Sequence, residues 1–487
     1  MALNTIKTLG ELKANNYVSK SIKDELRDNL IHKLKNNIQT FEGIFGYEHT
    51  VLPQLEQAIL SKHNINLLGL RGQAKTRIAR QLVNLLDEYI PVVEGSEIND
   101  DPLKPISRFA KDLIEKQQDD TPISWLHRSE RFAEKLATPD VTVADLIGDI
   151  DPIKAANLKL SYADHRVIHF GMIPRANRCI FVINELPDLQ ARIQVALFNI
   201  LQEGDVQIRG FNLRLPLDLQ FVFTANPEDY TNRGSIVTPL KDRIGSQILT
   251  HYPKDIEIAK KITAQEANLS DFKKQNIKVP ELAKTLLEQI SIEARHSNYV
   301  DAKSGVSARL SISAFENMMS AAERRALVNG DDKTCLRLSD FNAIIPAITG
   351  KVELVYEGEE QGAEFVANEL IESAIKVLYT EYFPEIKKLE KEDEKQSYDD
   401  VLAWFMKNDD IQFYEDDSNA EYESALSKIK PLKQMLDEYV TDYEKDEQFF
   451  WMEFILWGLS VFKKLDRNQV DTKLNFGDSF GSFIKGL

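Results

Sequence analysis

The stretch NINLLGLRGQAKTRIARQLVNLL, residues 64–86, decides the fold. Its apolar opening ends at Leu68, a glycine-containing loop follows, and Lys75-Thr76 opens an amphipathic helical pattern. This is the layout of a P-loop, G-x-x-x-x-G-K-[ST], read on Gly69 to Thr76. The residue types suit phosphate. Backbone N–H groups of a tight loop and of a helix N-terminus converge on phosphate oxygens, and the positive end of the helix dipole favours the anion. Lys75 brings an ammonium to the β/γ-phosphates, and the Thr76 hydroxyl is a Mg²⁺ ligand. The expected binding segment is Gly69, Leu70, Arg71, Gly72, Gln73, Ala74, Lys75, Thr76 and Arg77. Ala74 stands where the pattern has its second glycine, which is tolerable in a helical conformation and costly if φ must be positive. A strand–turn–helix with a surface lysine is the alternative reading, and nucleotide binding is expected over it because strand, loop, Lys-Thr and helix all agree.

A second strand end is needed to complete the metal shell and to polarise water. RCIFVINELPDL, residues 178–189, provides an apolar strand ending in Asn184-Glu185. Glu185 is the candidate that orients and deprotonates water. Asn184 occupies the place usually held by Asp, and its amide oxygen can still accept a hydrogen bond from a Mg²⁺-bound water, without the charge. Slower turnover and weaker Mg²⁺ affinity follow. LQFVFTANPED, residues 219–229, ends another buried strand in Thr224, Ala225 and Asn226, whose amide suits the γ-phosphate or the attacking water. Arg243 in TPLKDRIGSQI and Arg309 in VSARLSIS are the candidate cations for transition-state charge.

The rest of the chain sets the frame. Its 487 residues, 43% hydrophobic and 28% charged, suggest two to four domains of a soluble globular protein. No apolar run reaches the roughly 18–20 residues of a membrane span, and the N-terminus does not read as a secretory signal. Cys179 and Cys335 make no disulfide framework, so a reducing, cytoplasmic setting is expected. The eight histidines form no HExxH motif. Residues 351–487 hold 32 acidic and 16 basic side chains, so nearly all of the net charge of −17 lies there. Nucleic acid would be repelled by such a region, which reads as a solvated helical domain or an acidic partner surface.

Helical spacing marks residues 1–40 (Ile22, Leu26, Leu30, Ile31, Leu34). From 41 to 255, strands near 64–70, 178–184 and 220–225 alternate with helices, which argues for a mostly parallel sheet covered on both faces. Residues 256–350 read as helical, with patterns at 256–267, 279–296 and 312–327. A strand-like piece at 351–362 leads into the acidic helical region 351–487, where Trp404 and Trp451–Trp457 are expected to face a core.

Taken in order, these segments resemble an AAA+ ATPase. GLRGQAKT matches its Walker A, FVINEL its Walker B, TANPED its sensor 1, PLKDRIG its arginine-finger segment and SARLS its sensor 2. FEGIFGYEHTVLPQLEQAIL, HRVIHFGMIPRANRCIFVINEL and VQIRGFNLRLPLDLQFVFTANPEDYTNRGSIVTPLKDRIG resemble the ATPase (I) subunit of magnesium chelatase and MoxR proteins in particular. The likeness spans about residues 40–350. It implies a P-loop αβα core with a parallel sheet and an all-helical lid, followed here by the acidic helical region outside the resemblance. It also implies ATP and Mg²⁺ as cofactors, an insertion within about 136–175 and a hairpin within about 206–216. The remaining implications are a homo-oligomeric, hexameric ring with Arg243 (or Arg233) acting in trans, and a von Willebrand factor A-type partner protein. Tetrapyrrole chelation does not follow from the ATPase likeness.

Two other readings use the same residues. The Asn at 184 allows an ATP-binding scaffold or switch that hardly hydrolyses. The run NELPDLQARIQVALFNILQEGDVQIRG also resembles activators of the alternative sigma-factor polymerase, but the GAFTGA loop sequence of those proteins is absent.

Overall fold

A computed structural model describes residues 5–161, 164–208, 214–227, 235–386, 396–408, 410–470 and 473–478. The chain forms two compact units, Met1–Tyr252 and Pro253–Leu487.

The first unit is built on five strands, β1 (Ile65–Leu68), β2 (Phe132–Leu136), β3 (Cys179–Asn184), β4 (Leu219–Ala225) and β5 (Ser246–Leu249). They lie in the order β5-β1-β4-β3-β2, and every neighbouring pair is parallel. The strands expected near 64–70, 178–184 and 220–225 are β1, β3 and β4. All three are buried along their whole length, as a sheet covered on both faces requires. Side-chain alternation divides them between two cores. Ile180, Val182 and Val222 join helices α1 (Ile22–Lys35), α2 (Val51–Leu60) and α3 (Lys75–Gln81) on one face. Phe181, Ile183, Phe221 and Phe223 pack on the other against Ile193, Leu197 and Ile200 of α4 (Ala191–Glu203).

Helix α1 is started by Ser21, whose hydroxyl caps the Asp24 N–H. Its Glu25 receives both guanidinium arms of Arg131 at 2.6 and 2.7 Å, each side chain almost wholly buried. This bidentate pair fixes the N-terminal helix at the start of β2. Between α3 and β2 lies an antiparallel pair, Tyr89–Val93 with Ile123–His127, that the strand–helix alternation does not foretell. Short helices and the antiparallel pair Gly148–Ile150 with Ile168–Phe170 separate β2 from β3. A hairpin, Asp205–Gln207 with Arg214–Pro216, precedes β4.

The second unit is mainly helical. Helices α5 (Ile256–Glu266), α6 (Glu281–His296), α7 (Arg309–Asn329), α8 (Ala363–Tyr382) and α9 (Gln448–Val461) are its longer elements, and α6 to α9 contribute to one continuous core. Trp451 and Trp457 are buried there as expected, and Trp404 packs at its margin. Two local expectations are corrected. The piece at 351–362 is no strand: Leu354 makes a single bridge to Val300, and Tyr356–Gln361 is helical. The acidic region is also not all helix, because β6 (Ile411–Tyr414), β7 (Leu465–Val470) and β8 (Lys473–Asp478) form an antiparallel sheet in the order β6-β8-β7. Among the described residues no helix is long and apolar enough to cross a membrane.

Candidate nucleotide-binding site

The carboxyl ends of β1, β4 and β3 are brought level by their register, Leu68 beside Ala225 and Ile183 beside Phe223. In open α/β sheets this edge is where ligands bind. The loop leaves β1 with the Gly69 N–H bonded to the Ala225 carbonyl at 3.1 Å. It turns through Gly72 at φ +73° and Ala74 at φ +56°, then enters α3 at Lys75. Of the two conformations open to Ala74, the structure therefore has the left-handed one, which strains a residue carrying a Cβ by about 1–2 kcal/mol. The glycine at 69 has a different reason, since a Cβ there would run into the side chains of Thr250 and Gln73.

The loop is clamped from outside its own sequence. Thr250 Oγ1 donates to Gln73 Oε1 at 2.6 Å. The Tyr47 hydroxyl lies 2.7 Å from the His251 carbonyl and 3.1 Å from that of Gln73, and Tyr252 donates to the Arg71 carbonyl at 3.0 Å. Burial pushes the Tyr47 phenol up to about 12, so it stays a neutral donor.

Lys75 is buried. Its Nζ donates to the Gly69 carbonyl, to the Leu70 carbonyl at 3.0 Å and to Asn226 Oδ1 at 2.6 Å. Asn226 in turn donates from Nδ2 to Glu185 Oε2 at 3.0 Å. The candidates from three separate motifs thus form one chain of contacts. Asn184 lies at the same edge, but both ends of its amide are engaged. Its Nδ2 donates to Glu134 Oε1 at 2.5 Å and its Oδ1 accepts from Thr224 Oγ1 at 3.0 Å, while Thr224 Oγ1 accepts from the Glu185 N–H at 3.2 Å. Glu134, on β2, carries no motif and was not singled out by the sequence. Its Oε2 accepts from Arg80 Nε and Nη2 at 3.1 and 2.9 Å.

The parallel five-stranded sheet, with the loop and helix that follow β1 at its carboxyl edge, is a P-loop αβα core. No protein-family model and no curated protein sequence matches the chain. Among solved structures, a putative ATPase from Cytophaga hutchinsonii is 17% identical, with 74% of this chain and 97% of that one covered at a TM-score of 0.29. NtrX from Brucella abortus is 16% identical over 72% of this chain and 65% of that one, TM-score 0.36. A model of the complex between subunits BchI and BchD of magnesium chelatase is 18% identical over 66% and 98%, TM-score 0.35. With scores below 0.5, these likenesses add no weight to the strand order and loop geometry.

In this core the donor set fits a metal–triphosphate. Thr76 offers a hydroxyl oxygen and Glu134 and Glu185 offer carboxylates, the hard ligands that Mg²⁺ takes alongside phosphate oxygens, whereas the Asn184 amide oxygen expected to serve the metal is turned onto Thr224 Oγ1. Among the described residues no group of three or more His, Cys, Asp or Glu forms a metal site of its own. Arg243 ends the short helix Thr238–Arg243, where it bonds Gln202 Oε1 at 2.9 and 2.7 Å and the Pro239 carbonyl at 2.7 Å and lies over the Phe198 ring. Arg309 is the first residue of α7 in the second unit and is exposed. Arg233, the other candidate for the trans position, lies outside the described residues.

Proposed function

We propose that this chain is a Mg²⁺-dependent ATPase that works as a ring-forming motor on a partner protein, in the manner of the magnesium chelatase ATPase subunit and MoxR proteins. The contact chain Lys75–Asn226–Glu185 carries the reading. Lys75 would leave the loop carbonyls for the β/γ-phosphate oxygens, and the loop N–H groups would hold the phosphates at the start of α3. Thr76 would hold Mg²⁺, which supplies charge neutralisation when bound, and Asn184 would bear on it only through its bond to Glu134. Glu185 would orient a water and take its proton as the water oxygen bonds the γ-phosphorus and the bond to the β-phosphate oxygen breaks. Asn226 would keep Glu185 and that water in line. Arg243 of a neighbouring copy and Arg309 would meet the developing charge. The partner in this reading is a von Willebrand factor A-type protein, the assembly a hexamer and the setting cytoplasmic.

Purified protein should hydrolyse ATP with Mg²⁺, stop in EDTA, and lose activity in Lys75→Ala and Glu185→Gln. Turnover unchanged in Lys75→Ala overturns the reading. Light scattering with Mg²⁺-ATP on Glu185→Gln tests the ring.

A second reading, a weakly hydrolysing ATP-dependent switch, is favoured by the uncharged side chain at 184. It is distinguished by single-turnover hydrolysis slower than nucleotide release.

A further inference from the structure

We propose that Glu134 supplies the negative charge that position 184 lacks, so that the metal accompanying the nucleotide is held from β2 instead of from the end of β3. The inference rests on the nucleotide-binding reading above.

The orientation of Asn184 is decided by its partners. A carboxylate can only accept, so the group facing Glu134 Oε1 at 2.5 Å is the amide NH₂. Thr224 Oγ1 already accepts from the Glu185 N–H, so its own hydrogen goes to Asn184 Oδ1. An NH₂ cannot ligate a cation. Asn184 therefore presents to its surroundings a donor that fixes a carboxylate, and that carboxylate lies one hydrogen bond from where an Asp at 184 would carry its own. Were both residues acidic, two carboxylates would sit in contact and one would have to hold a proton. Asn184 and Glu134 read as a matched pair, with one negative charge moved across from β3 to β2.

The helix side agrees. Arg80, which bonds Glu134 Oε2, follows Thr76 by four residues and so shares its face of α3. Glu134 is thus reached from the same helix face as the Thr76 hydroxyl. Its ion pair with Arg80 is exposed on the arginine side, at 64% against 23% for Glu134, and such pairs yield readily to a divalent ion.

The test uses the full chain and Mn²⁺ as the probe, its binding in the presence of ADP read from the loss of the free-ion electron paramagnetic resonance signal. Glu134→Gln is expected to keep metal-free ADP affinity while Mn²⁺ affinity falls tenfold or more. Adding Asn184→Asp to Glu134→Gln is expected to restore it. Arg80→Gln, which removes the competing cation, is expected to raise Mn²⁺ affinity and serves if the Glu134 variants do not fold. Mn²⁺ affinity unchanged in Glu134→Gln, or unchanged or lower in Arg80→Gln, overturns the proposal while leaving nucleotide binding standing. No ADP binding by the wild-type chain, with or without metal, overturns both.

Discussion

The Lys75 ammonium and the Glu185 carboxylate are joined through a single side chain, Asn226, which accepts from the first at 2.6 Å and donates to the second at 3.0 Å. In this arrangement the Lys75 ammonium and the Glu185 carboxylate are coupled through one amide. Replacing Asn226 by Ala removes the bridge and leaves both groups to relax. Turnover of ATP should fall by about 10²-fold, the scale seen when one oriented polar group is lost from a reacting centre, with a smaller change in KM. Steady-state kinetics check this, and an unchanged kcat would show that Asn226 takes no part.

Ala74 occupies a left-handed conformation at the junction of loop and helix. Ala74→Gly relieves the Cβ strain but adds backbone freedom to the unfolded chain, which offsets part of the gain. A net stabilisation of about 0.5–1 kcal/mol is expected, read as a higher denaturant midpoint. A lower midpoint would mean that the methyl, which packs against the α1–α3 side of the sheet, contributes more than the strain costs.

Tyr47 gives a pH signature. Its phenol is raised to about 12 in the folded chain against about 10 in the unfolded one, mainly because burial disfavours the phenolate. Between these values the unfolded chain has released a proton that the folded chain still holds, so stability must fall as pH rises from about 10 toward 12. Tyr47→Phe should flatten that slope. At pH 8 it should instead cost about 1 kcal/mol through the lost bond to the His251 carbonyl. Urea midpoints at pH 8 and 11 separate the two effects.

In the second unit, Glu453 is fully buried inside α9 and gathers four donors. The Leu338 and Ser339 N–H groups lie at 2.8 and 3.0 Å, the Tyr422 hydroxyl at 2.6 Å and Trp457 Nε1 at 3.3 Å. Glu453→Ala leaves these donors without their acceptor in an apolar core, and a loss of about 3 kcal/mol or more is expected in thermal or urea unfolding. Glu453→Gln keeps the acceptor oxygen and should cost less.

Burial decides how much of the structure shows in the sequence. The sheet was legible where burial on both faces makes a continuous apolar run, as in Cys179–Asn184 and Leu219–Ala225. It was not legible in β2, whose FAEKL mixes charge and apolar residues because it lies at the sheet edge. Glu134 was hidden for the same reason: its partner Asn184 is a neighbour through strand order and not through any motif. For Ala74 the sequence left two conformations open, and only the loop geometry chooses between them. The sheet of β6, β7 and β8 escaped because β6 pairs with residues some 60 positions later, and such pairings leave no local periodicity. Residues 356–361 looked extended through VELVYEG. Gly358 explains the difference, since it permits a turn of helix to approach the Tyr299 carbonyl more closely than a Cβ would allow.

Two of the clamps on the loop come from Thr250 and Tyr252, separated from their loop partners by 177 and 181 positions. During synthesis, then, Gly69 to Thr76 emerge long before these two partners, and the loop can reach its finished form only after β5 has docked beside β1. Maturation of the pocket is tied to completion of the sheet, so a chain stalled or cut before Thr250 would expose the whole motif and still lack a preorganised cradle.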